Sequence, residues 1–180
     1  MSEQLYYTIV DTDAGWIGIS GSTKGLLRIT LPQRSSQKAH ELLGESTGHA
    51  IKSVHLFDDL ITRLRIYFSG QEITFPIKLA LAGATTFQRK VWAATRLISY
   101  GETRSYSWVA KQINRPGASR AVGQALKKNT LPVIIPCHRV IANNGKLGGY
   151  SGGLETKKHL LFLEASAQKK LFMSTANNTT

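Results

Sequence analysis

Apolar positions recur at two different intervals along the chain, and the change of interval divides it. Short apolar or alternating runs at 5–10, 16–20 and 26–31 are separated by Asp11-Thr12-Asp13-Ala14-Gly15 and Gly21-Ser22-Thr23-Lys24-Gly25. Runs of that length with turn-forming residues between them predict three strands of an antiparallel meander. Residues 33–48 are polar and predict a loop with a short helix. From 56 to 68 the apolar residues fall at 56, 57, 60, 61, 64 and 68, a helical stripe that stops at Ser69-Gly70. A short extended segment at 73–79 is interrupted by Pro76. The pattern then breaks at 81–85, which places a domain boundary there; no internal repeat is visible.

Beyond the break the helical interval dominates. Phe87, Val91, Ala94, Thr95 and Ile98 share one face of a helix, with Thr85 or Thr86 as its N-cap and Tyr100-Gly101 as its stop. A short helix over 107–113, the tight turn Asn114-Arg115-Pro116-Gly117 and a second helix over 118–128 follow. In the second helix Ala118, Ala121, Val122, Ala125 and Leu126 form an apolar stripe, while Arg120, Gly123, Gln124 and Lys127 lie opposite. Two helices joined this way, one with a basic face, fit a helix-turn-helix. An ordinary solvated amphipathic helix has the same stripe, but it gives no reason for a mid-helix glycine, which costs about 1 kcal/mol against alanine. The apolar run 131–135 predicts a buried strand leading into Pro136-Cys137-His138-Arg139-Val140. The fold class is therefore α/β, with a β-rich domain at 1–82, a mainly helical domain at 83–168 and a frayed tail at 169–180.

Charge changes the picture. Residues 1–80 carry 8 basic and 8 acidic side chains; residues 81–180 carry 15 basic ones against Glu102, Glu155 and Glu164. The whole excess of +12 lies in the helical portion, where it attracts polyanions. No apolar run reaches the roughly 18 residues that span a bilayer, and the first ten residues lack the basic cluster of a secretory signal. Action in the cytoplasm, or the nucleus of a eukaryote, is expected, without a membrane partner. The single cysteine excludes an intrachain disulfide and a multi-cysteine zinc site.

A lone cysteine is most often a small buried hydrophobe. As a nucleophile it must become a thiolate, so it needs a base or a positive field beside it. His138 and Arg139 follow directly, but on a strand adjacent side chains face opposite ways, so a Cys–His contact requires a turn or a bridging water.

The string Pro136-Cys137-His138-Arg139-Val140 resembles the signature of the O6-alkylguanine-DNA alkyltransferase family. Other elements are similar in kind and order: Phe87-Gln88 with Val91-Trp92; Gly101-Glu102-Thr103-Arg104-Ser105-Tyr106; Ser119-Arg120-Ala121-Val122-Gly123 with Ala125; Asn129 with Pro132; Gly149-Tyr150-Ser151-Gly152-Gly153-Leu154; and Glu164 in the last helix. The match covers residues 85–165; the N-terminal portion is similar only in its β-rich character, where the family has an RNase H-like fold. The resemblance implies irreversible transfer of an alkyl group from O6 of guanine, and O4 of thymine, to Cys137 after nucleotide flipping. It implies a catalytic set of Cys137, His138, Glu164, Tyr106 and Asn129. Double-stranded DNA carrying the lesion would meet Arg120, Tyr106, Ala121, Gly123, Gln124, Lys127 and Ser105. The alkylated base would meet Cys137, Val140, Tyr150 and Ser151.

The chain departs from the family in having Asn129-Thr130 where Asn-Pro is usual, which makes that turn less rigid. Some relatives bind zinc through N-terminal cysteines; this chain has none there, so no metal and no cofactor is expected, in a protein acting as a monomer. Three other readings stay open: a lesion sensor that does not repair, against which Cys137 argues; a helix-turn-helix regulator, which needs a dimerisation element; and a cysteine hydrolase using Cys137, His138 and Glu164. His40, His49, His55 and His159 are read as surface residues, and Lys157-Lys158 as a solvated helix end.

Overall fold

The computed structural model describes residues 3–176, and the side chains of all of these except 45, 46 and 168–176. The chain forms two compact units. The first holds residues up to Ser69 together with Ile73–Gly83 and Thr130–Pro132; the second holds Gly70–Glu72, Ala84–Asn129 and the chain from Val133 onward.

In the first unit, strands β1 (Tyr6–Thr12), β2 (Gly15–Ser22) and β3 (Gly25–Ile29) form the expected antiparallel meander. Gly15 and Gly25 start β2 and β3 with φ of +119° and +144°, conformations that L side chains avoid. Helix α1 (Ser36–Leu43), capped by Ser35, lies against β2 so closely that a Cβ on Gly18 would meet the Ala39 carbonyl oxygen at 2.7 Å. Helix α2 (Asp58–Phe68) buries Leu60, Ile61, Leu64, Tyr67 and Phe68. A two-residue strand, β4 (Ile51–Lys52), pairs parallel to β1 and completes the sheet order β3-β2-β1-β4. Both its residues are exposed, so no alternation announced it.

In the second unit, α3 (Thr86–Thr95) opens with a full capping box between Thr85 and Gln88. The chain leaves the helix after Thr95, earlier than Tyr100-Gly101, though Ile98 and Tyr100 remain buried. A two-residue strand, β5 (Arg104–Ser105), leads into α4 (Tyr106–Gln112), with Ser105 Oγ accepting from the Trp108 N–H as its cap. Asn114 ends α4 in the left-handed conformation, φ 56°, while the N–H groups of Asn114 and Arg115 reach back to Lys111 and Ala110. Helix α5 (Ser119–Lys127) follows and packs on α3 and α4; the buried Trp92 indole donates to the Ala125 carbonyl at 3.0 Å. Val122, Ala125 and Leu126 form its core face, but Ala121 is exposed and belongs with Arg120, Gln124 and Lys127.

The expected strand at 131–135 is absent. Leu131, Val133, Ile134 and Ile135 are buried, yet the segment is a string of turns in which Val133 takes φ 72°. Pro132 and Pro136 lack the N–H groups a ladder needs, and apolar β-branched residues satisfy burial without pairing. A short strand, β6 (Val140–Ile141), follows the signature and pairs parallel to β5. The last helix, α6 (Leu154–Ala176), continues well past 168, so the tail expected to be frayed from 169 is helical as far as Ala176. Its composition of Ala, Gln, Lys, Leu and Met favours that continuation; residues 177–180 lie outside the described residues. No helix among the described residues is long and apolar enough to cross a membrane.

Candidate active site

Cys137 opens a single 3-10 turn, Cys137–Arg139, which follows from Pro136: with φ −77° and ψ 62° the proline makes a tight reversal in which the Cys137 N–H donates to the Ile135 carbonyl at 2.7 Å. On a strand Cys137 and His138 would face apart. On this turn Cys137 (6% exposed) faces a cavity while His138 (fully buried) points into the protein. The cavity, about 400 Å³, is lined by Tyr106, Gly123, Gln124, Leu126, Lys127, Cys137, Gly149, Tyr150 and Ser151. That volume suits a small-molecule or single-base ligand. The residues come from α4, α5, the signature turn and the glycine-rich loop before α6, so four separate stretches of chain converge on one sulfur.

Asn129, just beyond α5, donates from Nδ2 to the Ile135 carbonyl at 2.9 Å and to Cys137 Sγ at 3.1 Å. Burial pushes the Cys137 thiol above its ordinary range; the hydrogen bond from Asn129 and the charge of Lys157 oppose that rise without cancelling it. The resting group at neutral pH is therefore a thiol, and reaction requires a proton acceptor.

Behind the sulfur lies a buried polar cluster of His138, Arg139 and Glu164. Nε2 of His138 is 2.8 Å from Oε1 of Glu164. Burial pushes the carboxyl of Glu164 up, but hydrogen bonds and charge from His138 and Arg139 outweigh it and hold it at about 2. An ionised carboxylate can only accept, so Nε2 carries the proton and Nδ1 is the basic nitrogen. Burial pushes His138 below its ordinary range, against the pull of Glu164, and leaves the ring neutral. Glu164 also accepts from Arg139 Nε and Nη2, each at 2.9 Å, and from the Gly101 N–H at 3.0 Å.

Lys157 corrects the sequence reading most sharply. It is fully buried, not a solvated helix end, and its Nζ donates to the carbonyls of Val140 at 2.6 Å and Leu147 at 2.5 Å. Burial pushes it down to about 8, against the attraction of Cys137. Lys157, Leu160 and Glu164 stand at i, i+3 and i+7 on one face of α6. That spacing was available in the sequence as a signal that a lysine occupied a core position. Lys158 is exposed and pairs with Glu155.

Tyr106 lies half-buried between two glycines. A Cβ on Gly148, where φ is +69°, would meet its Oη at 2.8 Å, and one on Gly123 would lie 3.6 Å from its ring. Its hydroxyl donates to the Gly149 carbonyl at 3.3 Å, and burial raises it, so the phenol keeps its proton. Tyr150 is likewise pushed up, by burial and by Cys137 beside it.

The structure thus gathers Cys137, Tyr106, Tyr150, Ser151, Gly123, Gln124 and Lys127 at the cavity, with Asn129, His138 and Glu164 behind it. Arg120 and Ala121 are exposed on the first turn of α5, outside the cavity lining. Ser105 caps α4, and the Val140 carbonyl is engaged by Lys157. The four other histidines are exposed, as expected. Among the described residues, no group of three or more His, Cys, Asp or Glu is placed to hold a metal ion.

Comparison with known proteins gives a consistent answer for both units. Residues 5–81 match the profile of the 6-O-methylguanine DNA methyltransferase ribonuclease-like domain, and residues 86–166 that of the 6-O-methylguanine DNA methyltransferase DNA binding domain. The methylated-DNA–protein-cysteine methyltransferase of Methanosarcina acetivorans is 41% identical over 162 residues, covering 90% of this chain and 99% of its own. The protein of that name from Mycobacterium tuberculosis is 38% identical over 162 residues, with 90% and 93% covered. The crystal structure of Mycobacterium tuberculosis OGT in complex with DNA superposes with a TM-score of 0.77 at 39% identity, over 90% of this chain and 94% of that one. With both profiles matched, and identity sustained over nine-tenths of the sequence, this chain belongs to the 6-O-methylguanine DNA methyltransferase family.

Proposed function

We propose that this protein repairs DNA directly, moving an alkyl group, methyl above all, from O6 of guanine or O4 of thymine to Sγ of Cys137. The observation that carries this reading is the cavity itself, which sets the only cysteine between Tyr106, a glycine-bearing basic helix face and the loop at 149–151. A lesion within a base stack cannot reach a recessed sulfur, so the nucleotide must be rotated out of the double helix, at a cost of a few kcal/mol.

In the reaction the thiol proton passes through a water to Nδ1 of His138, while Nε2 keeps its own proton and donates it in a hydrogen bond to Glu164. The sulfur lone pair forms the S–C bond as the C–O6 bond breaks, and that electron pair passes to the guanine ring. Tyr106 donates a hydrogen bond to ring N3 and the Ser151 backbone N–H donates to O6, stabilising the departing anion where its charge develops. The carbonyls of Cys137 and Val140 accept from the exocyclic amine, and Tyr150 walls the pocket. Arg120 fills the space the base vacates. Ala121, Gly123, Gln124, Lys127 and Ser105 lie along the minor groove, with Tyr106 against the rotated phosphate. Asn129 braces the sulfur. Residues 1–82 support the fold, while 83–168 bind DNA and carry out transfer. The protein acts as a monomer wherever the cell keeps its DNA.

A thioether is inert at neutral pH, so each chain acts once. With an O6-methylguanine duplex in excess, lesion loss is expected to plateau at one equivalent per chain. Loss that continues past that point would replace this reading with a turnover enzyme.

A further inference from the structure

Glu164 makes more hydrogen bonds to Arg139 than to His138. The guanidinium grips both carboxylate oxygens, its third nitrogen donates to the Ile98 carbonyl at 2.7 Å, and its carbon lies 5.6 Å from the centre of the Tyr100 ring. A planar fork held on three sides fixes the plane of the carboxylate it grips. The direction in which Oε1 faces His138 is therefore set by Arg139 as much as by α6.

Charge matters as well as direction. A carboxylate beside an imidazole favours the charged form of the ring, and does so most strongly when no other cation shares the carboxylate. An imidazolium has no lone pair left for the thiol proton. A guanidinium on the same carboxylate balances the charge first.

We propose that Arg139 is a positioning residue for alkyl transfer: it fixes Glu164 against Nε2 of His138 and balances the carboxylate, so that the imidazole stays neutral and Nδ1 remains the base for Cys137. This rests on the reading that His138 receives the thiol proton. The charged and titratable groups around the ring are Glu164 and Lys157 from α6, and Cys137 and Arg139 from its own turn. Tyr100, beside Arg139, stands in the fields of Glu164 and Glu72. Among the groups acting on His138, Glu164 favours the charged ring, while burial, Arg139 and Lys157 oppose it.

The test follows the His138 ring by NMR in the full chain, through its Cε1–H resonance, alongside single-turnover methyl transfer across the same pH range. In Arg139→Met the titration midpoint of His138 is expected to rise by about one pH unit or more. The acid limb of the transfer rate should move up with it. A variant that is slower at every pH with an unmoved midpoint would reduce Arg139 to a packing role and overturn the proposal. Should Arg139→Met fail to fold, Arg139→Lys decides. It keeps the charge but loses the fork, so the midpoint should stay in place while transfer slows by roughly ten- to a hundredfold. Transfer at the parent rate would overturn the positioning role. Failure of the underlying reading would look different: the parent chain would transfer no methyl group, whatever the ring titration showed.

Discussion

Cys137→Ser is expected to abolish alkyl transfer while leaving the affinity for lesion-bearing DNA little changed. A serine hydroxyl ionises far above a thiol, and its oxygen is a poor nucleophile unless a strong base stands in direct contact. Here the base would act through a water. The side chain is 6% exposed and sits within the cavity, so its exchange leaves the basic face of α5 untouched. The Asn129 amide also keeps an oxygen to which it can donate. Duplexes labelled in the methyl group would report transfer, and fluorescence anisotropy would report binding. Residual transfer by the serine chain would mean that the acceptor lies elsewhere.

Glu164→Gln is expected to slow transfer by roughly two to four orders of magnitude, the range general-base catalysis supplies, and to destabilise the fold by about 3–5 kcal/mol, as breaking a buried ion pair does. The amide offers one oxygen where the carboxylate serves His138, Arg139 and the Gly101 N–H. It also leaves the Arg139 guanidinium buried without its counter-charge.

The parent's acid behaviour carries the same signature. The folded chain holds Glu164 at about 2, below its ordinary 4.5. As the pH falls below that ordinary value the unfolded chain takes up the proton first, so stability drains away between about pH 4.5 and 2. Above that window the contribution is complete. Urea melts across the window should show the parent losing stability faster than Glu164→Gln. Parallel losses would show that the carboxylate is not held down by its neighbours.

Much of this architecture was legible from local chemistry. The meander could be read because its turns are written in Gly, Asp and Ser, and α5 because its stripe and its glycine stand on opposite faces. Other features escaped for physical reasons. Strand β4 is two exposed residues paired to a distant partner, and neither period marks it. The stretch from Leu131 to Ile135 has the composition of a strand, but Pro132 and Pro136 bracket it and burial alone explains its apolar character. Lys157 and Lys158 look alike in a sequence; the 100° step of a helix sends one into the core and the other to solvent. Ala121 shows the converse, a small residue counted with the stripe that the same rotation leaves exposed beside Arg120. Arg139 was visible only as part of the signature, because its partner stands 25 residues away on another element.

All of the chemistry argued above converges on one sulfur–carbon bond. After incubation with an O6-methylguanine duplex and proteolysis, the peptide bearing Cys137 should gain the mass of one methylene, the difference between S–H and S–CH3, in proportion to lesion removed. An unmodified Cys137 peptide alongside repaired DNA would contradict the account.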